Sequence, residues 1–484
     1  MTTTTPTCPD PVAPERTTEA ASPPPHSRIV GAVSLLAFVM VMVRVTTHAS
    51  APLNNGDTWF HLRIGHEFWG DWSIADPGAL SSFATASWVP TQWSTQMAAA
   101  AMESRFGLPG VAWLFGTLFL LFVVAVYFLG RSEGAALPTT LATSVVFIAA
   151  GSSLSARPQV VSLILFTGVV WMWLRAARLG RPPWLLIPVT WFWATAHGLW
   201  TTGVLLGLVI CVGLLLERRI AGRKAALFFA VPALSLLAAC LTPVGPRLVA
   251  AQFAVGERTS LIGEWGPTSF REVPAILTAL FVGTLIVLWS RRSRVDWTPV
   301  LMLLLGSAWI LTVDRMVAFG AILIAPLFVQ AFTELTGDRR ESLRLERLVV
   351  GATAVTCLLG LALAVPHTAK TPADVPTRFT PVLAKLPAGS PVLVEDHSGA
   401  WMEWRFTHLN PVIDGMFDAY TVDHMEEFAA FRRVEPGWAG FVQRSGASYA
   451  VLVQGSPITA AMQSQLRWSV VQRDENWVLL TAPS

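Results

Sequence analysis

IVGAVSLLAFVMVMVRVTTH, residues 29–48, is an almost uninterrupted apolar run near the start of the chain. A helix needs roughly 20 apolar residues to cross the hydrocarbon core of a bilayer, so this stretch predicts a transmembrane helix. Of the 484 residues, 53% are hydrophobic and only 13% are charged, whereas soluble domains carry about 25% charged residues. The sequence therefore predicts a polytopic membrane protein rather than a soluble globule.

Further apolar segments follow, separated by polar connections. With the first they predict a polytopic α-helical protein of about eleven transmembrane helices: 29–48, 109–130, 138–155, 159–175, 183–197, 199–216, 225–242, 273–290, 297–313, 316–334 and 347–365. The fifth and sixth segments are short and nearly continuous, so a broken pair around His197 is an alternative interpretation. A net charge of +3 gives no indication of nucleic-acid binding.

The basic residues predict the orientation of these segments. Dense basic clusters fall in alternate connections, as in cytoplasmic loops: Arg131, Arg175, Arg178, Arg181, Arg218, Arg219, Arg223, Lys224, Arg291, Arg292, Arg294, Arg339, Arg340, Arg344 and Arg347. On the opposite side, basic residues are spread thinly over longer loops. We therefore expect a cytoplasmic N-terminus and an extracytoplasmic C-terminus. Much Ala, Arg, Trp and Val with little Lys suggests a bacterial chain, and so the inner (plasma) membrane.

Composition divides the chain into four parts. Residues 1–27 are rich in Thr and Pro and predict a disordered cytoplasmic tail. Residues 28–366 predict the membrane domain, with outer loops 49–108 and 243–271. In the first of these loops, residues 92–106 predict an amphipathic helix that lies at the membrane interface. Residues 367–381 are a Pro-containing linker. Residues 382–484 alternate short β-type runs, such as a strand over 449–453, with helical patterns, such as a helix over 422–433, which predicts a small extracytoplasmic α/β domain. Glu395-Asp396-His397 and Asp414-Gly415 stand at predicted strand ends, where loops carry function in α/β folds, and the alternative is that they are exposed turn residues.

The stretch Asn54–His66, NNGDTWFHLRIGH, follows the first span and predicts a helix at the membrane edge. Asp57 and His61 are spaced i, i+4, which places both on one helix face. A carboxylate beside an imidazole suits a general base or half of a divalent-metal site. The alternative is that Asp57 caps the helix N-terminus. Trp59, Leu62 and Phe68 are available to lie on the membrane.

Other polar residues lie between predicted spans on this same face, although they are distant in sequence. They are Arg157, His197, Glu264 and Arg315. Ionisable groups at such positions are expensive and often functional. A membrane-edge arginine suits the phosphate of a lipid-linked substrate. The alternatives are snorkelling for Arg157, a buried hydrogen-bonded histidine for His197, a loop-fixing carboxylate for Glu264 and a structural ion pair for Arg315.

Several motifs carry a family resemblance: Asp57–Gly65, Asp76-Pro77, Gln92-Trp93, Arg157-Pro158-Gln159, Ala196-His197-Gly198, Pro243-Val244-Gly245, Glu264-Trp265 and Val412-Ile413-Asp414-Gly415. They are similar to those of a group of uncharacterised bacterial polytopic proteins. That group resembles the GT-C superfamily of glycosyltransferases that use polyprenyl-phosphate-linked sugars. The chain departs from the pattern where Gly56 and Thr58 flank Asp57 in place of a paired acid. It departs again at Thr91-Gln92-Trp93, where the group has His-Glu-Trp.

The resemblance implies transfer of a sugar from a polyprenyl-phosphate donor to a cell-envelope glycan or protein on the extracytoplasmic face. An acid in the first outer loop then serves as base or metal ligand, and Asp57 matches that position, with Mg or Mn as a possible cofactor. Basic residues hold the lipid phosphate. The alternative hypothesis is a non-enzymatic envelope protein, either a lipid-linked-substrate flippase or a scaffold that binds a partner through the outer domain. A flippase needs ionisable groups at mid-span, where this chain has almost none.

Overall fold

The computed structural model describes residues 25–254, 263–337 and 343–483. The predicted tail, 1–27, lies almost entirely outside these residues. Within them, eight helices are long and apolar enough to cross a membrane. The chain is therefore a multi-pass membrane protein, with a small mixed sheet after the last long helix.

Each predicted span coincides with a helix. The helices of this part are α1 (Pro25–Ala49), α2 (Asp57–Trp69), α3 (Trp93–Glu133), α4 (Ala136–Ala149), α5 (Gln159–Leu179), α6 (Leu186–Ala196), α7 (Thr201–Leu216), α8 (Gly222–Ala239), α9 (Arg247–Ala254), α10 (Val273–Ser290), α11 (Trp297–Thr312), α12 (Val317–Thr336) and α13 (Leu343–Thr368). Helices α4, α6 and α11 have 14, 11 and 16 residues and are the shorter apolar ones. At 1.5 Å per residue, such helices are shorter than the roughly 30 Å of a hydrocarbon core.

Helix α3 joins a surface segment to a transmembrane segment. Its 41 residues correspond to roughly 60 Å, about twice the bilayer core. The helix is interrupted at Gly107, where φ is 66° and ψ is −162°, and Pro109 follows. A positive φ suits glycine because it has no Cβ, and the proline starts the new segment. The chain thus changes direction between the predicted outer helix, 92–106, and the predicted span, 109–130.

Helix α12 is the centre of the bundle. It is buried along almost its whole length and contacts α3, α4, α5, α10 and α11. By contrast, α1 and α13 lie at the edge, where apolar side chains such as Met40 and Leu363 are exposed. In a membrane protein such exposed apolar surface faces lipid.

The C-terminal part is a mixed five-stranded sheet with flanking helices. Its helices are α14 (Thr380–Leu383), α15 (Asp396–Arg405), α16 (Val422–Arg433), α17 (Trp438–Ser445) and α18 (Pro457–Gln465). Its strands are β1 (Pro391–Val394), β2 (Asn410–Pro411), β3 (Tyr449–Val453), β4 (Ser469–Arg473) and β5 (Trp477–Thr481). The order is β2-β1-β3-β5-β4. Strand β1 pairs in parallel with β2 and β3, and β5 pairs antiparallel with β3 and β4.

The C-terminal part packs on α2 and α3. The rings of Trp59 and Trp404 lie 4.9 Å apart between centroids, and the indole nitrogen of Trp404 donates to Glu103 at 2.8 Å. The prediction that Trp59, Leu62 and Phe68 lie on the membrane is wrong. All three are buried where α2 packs against α3 and the C-terminal part. An apolar helix face at a membrane edge packs equally well against lipid or protein, and here protein covers it.

Candidate active site

A cavity of about 500 Å³ lies where the ends of the membrane helices meet the C-terminal part. It brings together all six residues predicted from the sequence: Asp57, His61, Arg157, His197, Glu264 and Arg315. Each lies at or between helix ends. Asp57 and His61 lie at the start of α2, Arg157 before α5, His197 after α6, Glu264 in the loop before α10 and Arg315 before α12. The distant polar residues of one predicted membrane face therefore share one site.

Asp57 does not cap α2. The N-cap residue is Gly56, and no side chain makes a capping hydrogen bond there. The carboxylate of Asp57 instead accepts from Arg157, with 2.9 Å between Oδ2 and the guanidinium nitrogen. The capping interpretation is therefore wrong. The Asp57 side chain remains 30% exposed, which leaves it accessible from the cavity.

Arg157 is buried and fully engaged by protein acceptors. The same guanidinium nitrogen that contacts Asp57 also contacts Glu264 Oε1 at 2.8 Å. Its Nε donates to Ser155 Oγ at 2.9 Å, and its second terminal nitrogen donates to the Ser152 carbonyl at 3.2 Å. All three nitrogens thus have protein partners, and Arg157 holds two carboxylates side by side.

Arg315 differs from Arg157 because its donors are incompletely satisfied. One terminal nitrogen lies 3.6 Å from Glu264 Oε2, and the guanidinium stacks 5.2 Å from the ring centroid of Trp265. Its Nε is buried and has no hydrogen-bond partner among the described residues. An unpaired buried donor costs free energy, so this nitrogen is suited to a ligand with acceptor oxygens.

Glu264 is an ionised carboxylate. Partial burial alone would raise its pKa, but the charges of Arg157 and Arg315 and the hydrogen bond from Arg157 outweigh that effect and lower the pKa. The loop that carries Glu264 is fixed to the start of α12, since the Asp314 N–H donates to the Gly266 carbonyl at 3.1 Å. Two carboxylates and two guanidinium groups therefore form a charge-balanced cluster.

His197 is buried, and both of its ring nitrogens have neighbours. Trp193 Nε1 donates to Ser162 Oγ at 2.6 Å, and that hydroxyl lies 2.8 Å from His197 Nδ1. The Leu199 N–H points to Nδ1 at 3.4 Å. On the other side of the ring, a terminal nitrogen of Arg315 lies 3.4 Å from Nε2. His197 and Arg315 therefore meet in the cavity.

His61 is held in a similar way. The Gln96 side-chain amide donates to His61 Nδ1 at 3.0 Å, which leaves the proton on Nε2. Burial lowers the pKa of His61, and the charges of Arg157 and Arg315 lower it further. The ring is therefore neutral at physiological pH. It serves as a hydrogen-bond donor and does not serve as a base through Nε2.

The residues present do not suit the predicted Mg or Mn cofactor. Such hard cations prefer about six oxygen ligands. Within the described ranges, no group of three His, Cys, Asp or Glu side chains could hold a metal ion. The carboxylates that meet here, Asp57 and Glu264, are both bound to Arg157. A guanidinium already lies where two acids would meet a metal.

The C-terminal part adds residues that had no specific role in the sequence-based prediction of the site. His397 lies after β1, and Gly415–Asp418 lie after β2; all line the cavity. Because β1 and β2 are parallel neighbours, their carboxyl ends meet at one edge of the sheet, where ligands bind in open α/β folds. The imidazole of His397 rests on Gly56, where an added Cβ would come 2.2 Å from Nδ1. In the sequence, the position of these residues at the ends of predicted strands indicates that they belong to a site.

Comparisons with known proteins show the fold. No protein-family model and no curated protein matches the sequence. Among solved structures, the oligosaccharyltransferase AglB of Archaeoglobus fulgidus, in complex with an inhibitory peptide and a dolichol-phosphate, is similar, with 12% identity and a TM-score of 0.57. The match covers 89% of this chain and 70% of AglB. The same enzyme in complex with Zn and sulfate gives 14% identity, a TM-score of 0.53 and coverages of 90% and 68%.

ArnT of Cupriavidus metallidurans, bound to undecaprenyl phosphate, is also similar. It has 16% identity and a TM-score of 0.51, with 93% of this chain and 99% of ArnT covered. The predicted resemblance is confirmed at the level of fold: the chain shares with AglB and ArnT a bundle of membrane helices, here followed by a C-terminal α/β part. Identities this low leave its chemistry to be argued from its own residues.

Proposed function

We propose that this chain is a membrane glycosyltransferase that moves a sugar from a polyprenyl-phosphate donor to a cell-envelope acceptor. The single observation that carries the proposal is the contact between Arg315 and His197 in the cavity that also holds Asp57. Lipid phosphates are bound in two proteins with this fold, as dolichol-phosphate in AglB and undecaprenyl phosphate in ArnT. In this proposal the site is extracytoplasmic, as the basic-residue pattern predicts, and the membrane is a bacterial inner membrane, as the composition indicates.

Arg315 and His197 bind the donor phosphate in this proposal. Arg315 and His197 Nε2 meet in the cavity, and the N–H groups of a guanidinium and of an imidazole that carries its proton on Nε2 suit the oxygens of a phosphate ester. Arg157 is less suited to the same task because its nitrogens are occupied by protein acceptors. The ring of Trp265 fixes the Arg315 plane through a cation–π contact. The neutral His61 N–H is a further donor to the sugar or its phosphate.

Asp57 is the proposed base. As the acceptor oxygen forms its bond to the sugar C1, the C1–O bond to phosphate breaks and its electron pair goes to the phosphate oxygen. The acceptor proton passes to the Asp57 carboxylate, which Arg157 orients through Oδ2. Donors already placed around the leaving phosphate stabilise its growing negative charge without reorganisation.

In the same proposal, the acceptor approaches Asp57 along the C-terminal part. His397 and the loop Gly415–Asp418 line the cavity opposite the helix ends, so the edge of the sheet forms its outer wall. Contacts fix this wall in place: the Ala86 N–H donates to the Ala419 carbonyl at 2.9 Å, and Ser81 Oγ donates to the Pro411 carbonyl at 2.7 Å. A sugar hydroxyl or a peptide side chain would meet Asp57 from this direction.

The test is an Asp57→Asn variant expressed at wild-type level in a strain that lacks the native gene. Envelope glycans and glycoproteins are profiled by mass spectrometry. The expected result is loss of a glycan modification that wild-type protein restores. An Arg44→Met variant is the control, because Arg44 is exposed and lies outside the cavity. Full restoration of that modification by a stably inserted Asp57→Asn protein would exclude Asp57 as the base.

A further inference from the structure

One guanidinium nitrogen of Arg157 lies between two carboxylates. It is 2.9 Å from Asp57 Oδ2 and 2.8 Å from Glu264 Oε1, and the Arg157 side chain is only 7% exposed. The rest of the group is fixed by Ser155 Oγ and the Ser152 carbonyl. A cation that binds two acids in a rigid, buried position is what a divalent metal would otherwise provide.

We propose that Arg157 is a built-in cation that replaces a divalent metal in this site. The ion pairs support this: Asp57 and Glu264 both contact Arg157, and Glu264 also approaches Arg315, so both acids already have cationic partners. A divalent ion beside these guanidinium groups would meet their positive charge in a partly desolvated cavity, which is costly. The ion would also have to displace Arg157 from both acids, and a buried arginine without a partner is itself unfavourable.

The arrangement has a chemical consequence for the transfer reaction. The charge that develops on the leaving phosphate is neutralised by Arg315 rather than by a metal, and Arg157 keeps the Asp57 carboxylate oriented. Sugar transfer should therefore be insensitive to chelators. The prediction about chelators rests on the proposed transferase function, whereas the prediction about metal binding by the purified protein does not.

The test measures Mn²⁺ binding by electron paramagnetic resonance on full-length protein in detergent. Wild-type protein is expected to bind no Mn²⁺ at this site, and Arg157→Ala is expected to gain a single bound Mn²⁺ because the two carboxylates become free. The double variant Arg157→Ala with Glu264→Gln is the matched control and should lose that gain. Wild-type binding that Asp57→Asn abolishes would overturn the proposal, as would a folded Arg157→Ala protein that binds no Mn²⁺.

A second measurement covers the case in which Arg157→Ala does not fold. Wild-type transfer is followed by envelope glycan profiling in membranes treated with EDTA and then with added Mn²⁺. Unchanged transfer under EDTA supports the proposal, and transfer that is lost and then restored by Mn²⁺ overturns it. If wild-type membranes show no transfer at all, the proposed function fails, and wild-type Mn²⁺ titration with and without Asp57→Asn still decides the question of the metal.

Discussion

Replacing Arg315 tests the donor side of the site most sharply. Its Nε is buried without a described partner, and its other contacts are a 3.6 Å approach to Glu264 and a 3.4 Å approach to His197. Little protein structure therefore depends on its hydrogen bonds. Arg315→Lys keeps the charge but loses the planar pair of donors, and Arg315→Met loses both.

The magnitude follows from the number of donors lost. A hydrogen bond to a charged group contributes about 1.5–3 kcal/mol, and about 1.4 kcal/mol is a tenfold change in affinity. Arg315→Lys, which loses one such bond, should therefore weaken polyprenyl-phosphate binding by roughly 10- to 100-fold. Arg315→Met should weaken it further, because the charge is lost as well.

The assay is direct binding of undecaprenyl phosphate to purified protein in detergent, measured by native mass spectrometry with a competing unlabelled lipid. Arg44→Met is the control for general attraction between arginines and lipid headgroups. Arg44 is exposed near the end of α1 and does not line the cavity. If Arg315→Met binds the lipid as tightly as wild type, or weakens only as much as Arg44→Met does, Arg315 does not bind the phosphate.

Three further predictions concern packing and buried charge. Gly56→Ala should destabilise the fold by about 1–3 kcal/mol through overpacking and so lower the thermal midpoint, since the backbone at φ −58° tolerates alanine but the new Cβ meets His397. Adding His397→Ala should restore the midpoint, and an unaffected single variant would contradict the contact between Gly56 and His397. Burial and the neighbouring Asp414 carboxyl raise the pKa of Glu403 well above its usual 4.5, so the folded state binds the extra proton and stability falls as pH rises from 4.5 through the raised pKa. Glu403→Gln should flatten that slope in thermal unfolding from pH 5 to 8, and an unchanged slope would refute this. Away from the cavity, Arg131→Met should cost about 3–5 kcal/mol, because the buried Glu346 loses its counter-ion and keeps the hydrogen bond from the Tyr127 hydroxyl. Changing both Arg131 and Glu346 to Met should recover most of the thermal midpoint, and equal loss in the single and double variants would contradict the ion pair.

Much of the architecture is readable from local pattern. Every predicted span coincides with a helix, and within the described residues eight helices are long and apolar enough to cross a membrane. In the C-terminal part, the predicted helix 422–433 and strand 449–453 match α16 and β3. The change of direction in α3 also follows from local sequence, since Gly107 and Pro109 mark it directly.

The pairing inside the site is not readable in this way. Topology places Asp57 and Arg157 on one face but does not show that they form an ion pair, since that needs the packing of α2 against the start of α5. The position of the His197 ring depends on Ser162 and Trp193, two residues that look like ordinary parts of apolar helices. Long-range packing decides both, and it also explains why Trp59 faces protein rather than lipid.

The most direct measurement is an experimental structure of the protein with a bound polyprenyl phosphate, by cryo-electron microscopy in a lipid nanodisc. The expected result is a phosphate within hydrogen-bond distance of Arg315 Nε and His197 Nε2, with Arg157 still bound to Asp57 and Glu264. A phosphate bound outside this cavity, or one held by Arg157 after release of the two carboxylates, would contradict the proposed site.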